Sequence, residues 1–214
     1  MMNNIINYIM SLFFSINVFV YQKKLNVSYF KQENPFTCEA ATIKMVLNYF
    51  GDLLSERDIL KFMPLDPTQR SGDIWGDPDK GFVGNVLGKN NLESYGIHAA
   101  PTSKWIQNWK KTDLMQNASL SQLAKHIENN HPVIIWIYKG QGNILKWKTR
   151  EGKIIEVVEG EHTILLTGYA GSVDEPKLFY YIDPEEGYKK MTSQELLQFA
   201  SPFRMSAVAV YSSK

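Results

Sequence analysis

The sequence predicts an α+β protein in which a helical N-terminal half packs on a mainly antiparallel sheet. Three observations carry this expectation. Apolar residues recur at helical spacing in stretches between Cys38 and Asn130. Short runs rich in β-branched and aromatic residues dominate after Pro132. The two signals are segregated along the chain, which favours α+β over a doubly wound sheet.

The clearest helix spans 38–50, where Ala40, Ile43, Leu47 and Phe50 line one face. Thr37 suits its N-cap, and Gly51 stands where a helix stops. Ser55 with Asp58 opens a second helix over 55–62, which Pro64 ends. Residues 66–88 are rich in Gly, Asp and Pro and read as a long ordered loop with at most a helical turn; loops of that length are often functional. Ser119 and Gln122 form a capping box for a helix ending near Asn130. Strands are expected at 133–138, 154–158, 162–169, 178–183 and 205–211. Thr192 and Glu195 make a further capping box, for a helix to about Phe199.

The chain has 214 residues, of which 44% are hydrophobic and 21% charged. These are globular values. One domain is expected over 25–214, behind a hydrophobic segment at 1–24. Lys plus Arg number 23 and Asp plus Glu 22, for a net charge of +1. A nucleic-acid-binding domain usually carries a basic excess, so no nucleic-acid partner is expected.

Residues 5–20 are apolar except for Asn7, Ser11, Ser15 and Asn17. A bilayer span needs about 20 residues. A signal peptide wants basic residues before its apolar run and a small-residue cleavage site after it. Here the lysine pair, Lys23-Lys24, follows the run instead. An atypical signal or membrane anchor and a terminal element packed on the globule both fit. The segment offers a route to membrane association, and an extracellular or membrane-anchored location is favoured over a cytoplasmic one.

The single cysteine, Cys38, excludes an intramolecular disulfide and a zinc site built on paired cysteines. No metal or cofactor is expected. Cys38 sits at the first position of the expected helix, where unpaired N–H groups and the helix dipole favour a thiolate. Gln32 lies six residues earlier, beyond Pro35. Its amide and the Cys38 N–H could together hold an oxyanion. His162 opens an apolar run, a firm mount for a base. Asp183 ends another such run before Pro184, where it could orient the His162 ring. The order Cys, His, carboxylate suits a thiol nucleophile with a base and an orienting group. A buried structural cysteine, a core histidine and an Asp-Pro turn are the ordinary readings of the same residues.

The run 32–41, Gln-Glu-Asn-Pro-Phe-Thr-Cys-Glu-Ala-Ala, with Met45–Gly51 after it, resembles the nucleophile helix of the C39-like cysteine peptidases, a branch of the papain-like superfamily. The resemblance continues through Gly76-Asp77-Pro78, Gly81–Gly84, Tyr95–Pro101, Pro132–Trp136, Glu161–Tyr169 and Ile182–Gly187, covering roughly Val27 to Tyr211. It is closest to the stand-alone proteins of Gram-positive bacteria, often exported. The resemblance implies a papain-like fold with Cys38 as nucleophile, His162 as base, Asp183 as orienter and Gln32 in the oxyanion hole. It implies a cysteine peptidase or amide hydrolase acting, as a monomer, on a peptide or protein substrate. Acyl transfer or glutamine deamidation by the same residues, and a non-catalytic binding module on this scaffold, are the alternatives.

Other candidates are weaker. His126 and His131 are five apart, do not share a helix face, and are not expected to pair on a metal. His98 reads as a loop or rim residue. Gly140-x-Gly142 lacks the following helix of a phosphate loop. Trp75, Trp105, Trp109, Trp136 and Trp147 could line a cleft, although Trp136, inside a core strand, reads as packing. Asp77 and Asp79 read as turn residues rather than as a cation site.

Overall fold

A computed structural model describes residues 21–88 and 93–212. Strand β1 (Gln22–Lys24) leads to helices α1 (Cys38–Tyr49) and α2 (Glu56–Leu60). Short strands β2 (Leu65–Asp66), β3 (Phe82–Gly84) and β4 (Ser94–Gly96) follow, then α3 (Ala99–Ile106), β5 (Lys111–Met115) and α4 (Leu120–Glu128). After these come β6 (Val133–Tyr138), β7 (Ile144–Lys148), β8 (Ile154–Val158), β9 (Glu161–Gly171), β10 (Pro176–Asp183) and β11 (Gly187–Thr192). The chain closes with α5 (Ser193–Ala200), a 3-10 turn at Ser201–Phe203 and β12 (Ala207–Tyr211).

The main sheet runs β11-β10-β9-β6-β12-β5, with β1 also paired to β9. All its pairings are antiparallel. β6 and β9 are central and buried along nearly their whole length, β6 through a continuous apolar run and β9 around its apolar middle, Ile164-Leu165-Leu166. Helix α1 packs on β9 and α5 lies over β6 and β10. Ile43, Leu47, Ile134, Leu165, Phe179 and Val208 share the resulting core. A second, smaller cluster joins Trp75, Val83 and Tyr95 to Trp147, Ile155 and Val157 of the β7–β8 hairpin.

The expected strands and both capping boxes are present. The α1 start differs from expectation. Thr37 occupies the N-cap position but caps nothing, because its hydroxyl is bonded to the backbone of Asn34. Gly51, at φ +91°, does terminate the helix.

The first half is not purely helical: β1 to β5 interleave with α1 to α4. β1 to β4 span three residues or fewer, too short to show a period. β5 is half polar because it lies at a sheet edge. The loop expected around 95–101 instead becomes β4 and α3, with Pro101 in the helix's first turn, where its missing N–H costs nothing. Residues 66–88 contain no helix, only a single helical turn at 77–81 closed by the Lys80 and Gly81 N–H groups on Asp77 O, and they pass through β2 and β3. The domain reaches before the expected boundary, since Gln22–Lys24 belong to the sheet. The hydrophobic run itself lies outside the described residues.

Candidate active site

Two antiparallel neighbours, β9 and β10, carry His162 near the start of one and Asp183 at the end of the other. His162 Nε2 lies 3.2 Å from Asp183 Oδ1, with both side chains buried. Asp183 Oδ1 also accepts the Glu185 N–H at 2.8 Å, and Oδ2 accepts Lys139 Nζ at 3.1 Å. Burial works against the charge on Asp183, but the His162 bond and charge, the Glu185 N–H and Lys139 outweigh it. The carboxyl is held well below its usual range. Lys139 also binds Glu185 at 2.7 Å and Glu186 at 2.8 Å. Burial opposes its charge too, yet these three acids hold it protonated. The acidic corner is therefore balanced by an ammonium group already in place.

Cys38 opens α1 and lines the same cleft as His162, a cavity of about 430 Å³. Trp75, Tyr95 and Trp147 form its aromatic wall, so the cleft reading holds for Trp75 and Trp147 but not for Trp105, which is buried in the main core, or Trp109, which lies elsewhere on the surface. Trp136 is core, its indole N–H donating to Ile97 O. The thiol is buried and donates to Glu39 Oε2 at 3.2 Å. Among the described residues it makes no hydrogen bond to His162. The expected thiolate is therefore not favoured in this arrangement. Burial pushes the thiol well above its ordinary value, and the Glu39 and Glu161 carboxyls push it further; the neighbouring Thr163 offsets only part.

Gln32 is tied to both halves of the site. Its N–H donates to Pro184 O beside Asp183, and its side-chain amide donates to Asn34 O at 2.9 Å and Pro35 O at 3.1 Å, just ahead of Cys38. The amide donor is thus turned into the backbone rather than toward the cleft, and its Oε1 is buried without a partner.

Sequence reasoning missed Glu39, Glu161 and Lys139. Glu39 and Glu161 flank Cys38 and His162 in sequence, and adjacency to both was the only available signal. Three minor readings also meet the structure. His126 and His131 do come together, at 3.4 Å, because Asn130 at φ +63° folds the chain back after α4. Asp77 accepts the Asp79 N–H in a turn and is paired with Lys153, and Asp79 binds His98 at 2.7 Å. A larger cavity, about 720 Å³, lies on the other side of Tyr95 among His98, Gln116 and Arg204, and has none of the candidate catalytic residues in its lining.

This architecture is that of the bacterial C39-like proteins. A protein from Bacillus anthracis assigned to the C39-like peptidases superposes with a TM-score of 0.76 at 21% identity, over 91% of this chain and 99% of that one. The family model described as Peptidase_C39 like family matches residues 24–206, and the chain belongs to that family. The uncharacterized protein YvpB of Bacillus subtilis (strain 168) is 31% identical over 157 residues, 71% of this chain and 59% of YvpB. The match thus spans about three fifths of that relative's length.

Proposed function

We propose that the protein is a cysteine-dependent peptidase or amide hydrolase of papain-like design. The observation that supports this best is the His162–Asp183 pair, 3.2 Å apart, in a cleft that Cys38 also lines from a helix start. Cys38 Sγ attacks the substrate carbonyl. Its proton passes to His162 Nδ1, the ring nitrogen that Asp183 does not occupy. Asp183 holds the ring and stabilises the imidazolium. The oxyanion takes the Cys38 N–H and the Gln32 amide, which must first release Asn34 and Pro35. His162 then protonates the leaving amine, and water hydrolyses the thioester. The substrate is a peptide or protein segment held in the cleft, and the protein works outside the cytoplasm or at a membrane.

The test is an irreversible thiol-directed peptide probe, followed by cleavage of a peptide library. Labelling of Cys38 and new N-termini, both lost in Cys38→Ala, support the reading. Released ammonia or a crosslink without new N-termini points to deamidation or acyl transfer. Cleavage that survives Cys38→Ala overturns it.

A further inference from the structure

Beside Cys38 two carboxyls approach each other in a buried place. Cys38 Sγ, one Glu39 oxygen and one Glu161 oxygen all lie within 4.8 Å of one another. Glu39 enters from the second residue of α1 and Glu161 from the first residue of β9. Gly96 closes over both: at φ +138° it brings bare backbone so near that a Cβ would collide with Glu161 Oε2 and stand 3.3 Å from Glu39 Oε1. Like charges this close cannot both persist in a dry site; one carboxyl keeps its proton.

The two are not equivalent. Glu39 is surrounded by donors: its Oε1 accepts the Ile97 N–H at 3.3 Å, its Oε2 accepts the thiol, and it stands at the positive end of a helix. Glu161 Oε1 is buried without a partner. Burial raises both acids, and the proximity of Glu39 raises Glu161 well above its ordinary value.

We propose that Glu39 and Glu161 are positioning residues for Cys38, sharing one proton that Glu161 carries, so that the Glu39 carboxylate holds the thiol protonated and turned from His162. The proposal deepens the hydrolase reading and rests on Cys38 being its nucleophile. The resting enzyme then carries a guarded thiol. Attack requires the Sγ–H to leave Glu39 and hand its proton to His162.

The other charged groups around the pair are few. His162 of β9 faces the cleft, with Asp183 bonded to it, and Lys139 and Glu185 also line the cleft. From β4, the Tyr95 hydroxyl is buried without a partner, and burial keeps it protonated. Arg70, Lys146 and Glu159 lie farther out along the cleft.

The experiment follows the rate of Cys38 alkylation by iodoacetamide against pH. In Glu39→Gln the repelling carboxylate and its thiol bond are gone, so the midpoint should fall by about one pH unit, a roughly tenfold faster reaction on the acid side. Glu161→Gln replaces a neutral group by a neutral group and should move the midpoint much less. A merely structural role for Glu39 does not move this profile. An unchanged midpoint in Glu39→Gln overturns the proposal. On the wild-type protein, infrared difference spectra at pH 7 should show the carbonyl stretch of a protonated carboxylic acid that disappears in Glu161→Gln; its absence from wild type also overturns it. Alkylation needs no substrate. A shifted midpoint in a protein without hydrolase activity sinks only the proposed function, and an unshifted one in an active peptidase sinks only this inference.

Discussion

His162 Nε2 and Asp183 Oδ1 meet at 3.2 Å across two neighbouring strands, although 21 residues separate them in the chain. A register shift between β10 and β9 at Tyr180 and Tyr181, where β9 carries the extra residue Thr167, precedes the contact. Such bulges re-aim side chains and are common beside functional sites. The pair fixes which imidazole nitrogen faces the acid and leaves Nδ1 on the other side of the ring.

Asp183→Asn keeps the shape of this contact but removes its charge and its control of the ring tautomer. The expected result is a drop in kcat/KM of about 10²–10⁴-fold with an unchanged circular dichroism spectrum. A variant within threefold of wild type removes Asp183 from the mechanism.

The thiol environment makes a separate prediction. Iodoacetamide at pH 7 should modify Cys38 in the folded protein more slowly than in the urea-unfolded chain, because burial and the Glu39 carboxylate raise the folded thiol. With one cysteine in the chain, mass spectrometry reads both rates without ambiguity. A faster reaction in the folded state contradicts the arrangement of Glu39 against Sγ.

Gly96→Ala tests the lid over the two carboxyls. Its φ of +138° is open to glycine and strained for alanine, and the added Cβ meets Glu161. The loss of stability should be about 1–3 kcal/mol, read as a fall in thermal midpoint. An unchanged midpoint means β4 stands off from the pair.

Lys139→Ala leaves Asp183, Glu185 and Glu186 without their shared cation. The folded Asp183 carboxyl is depressed, so its contribution is present above the ordinary carboxylate range and lost as pH falls. Removing Lys139 brings that carboxyl back toward its unfolded value. The variant should therefore be less stable at pH 7, by about 1 kcal/mol after allowing for the partly exposed lysine. The gap should close as pH falls toward 2. Urea midpoints across that range measure it, and a pH-independent gap would point to lost packing instead.

The N-terminal reading is also open to test. Because Gln22–Lys24 pair with β9, processing on export should cut before Tyr21 rather than near Lys24. N-terminal sequencing from the native host reads this directly; a mature chain starting at Lys24 would lack the strand.

The strong parts of the fold were legible because their causes are local. Two capping boxes, the apolar runs of β6 and β9, and the stop at Gly51 all write themselves within a few residues. α3 was hidden by Pro101, and β5 and β11 by the polarity of edge strands. At the candidate site, residue types and chain order pointed to Cys38, His162, Asp183 and Gln32. Their present contacts were not legible. Whether Gln32 points its amide at a cleft or at Asn34, and whether Sγ meets imidazole or carboxyl, depends on distances set by β4, α1 and β9 together. The meeting of His126 with His131 shows the same limit, since a left-handed Asn130 cancels the helical spacing.

β9 runs from His162 at one end to Ala170, which pairs with Gln22, at the other. Eight residues of strand make about 25 Å. Tyr21 bonds Gly171 at that far end through its carbonyl. Tyr21, and with it the way to residues 1–20, therefore lies at the opposite pole of the strand that bears His162. If those residues grip a surface, the cleft is held off it by the length of β9, open to chains arriving from the surrounding medium rather than from the surface itself.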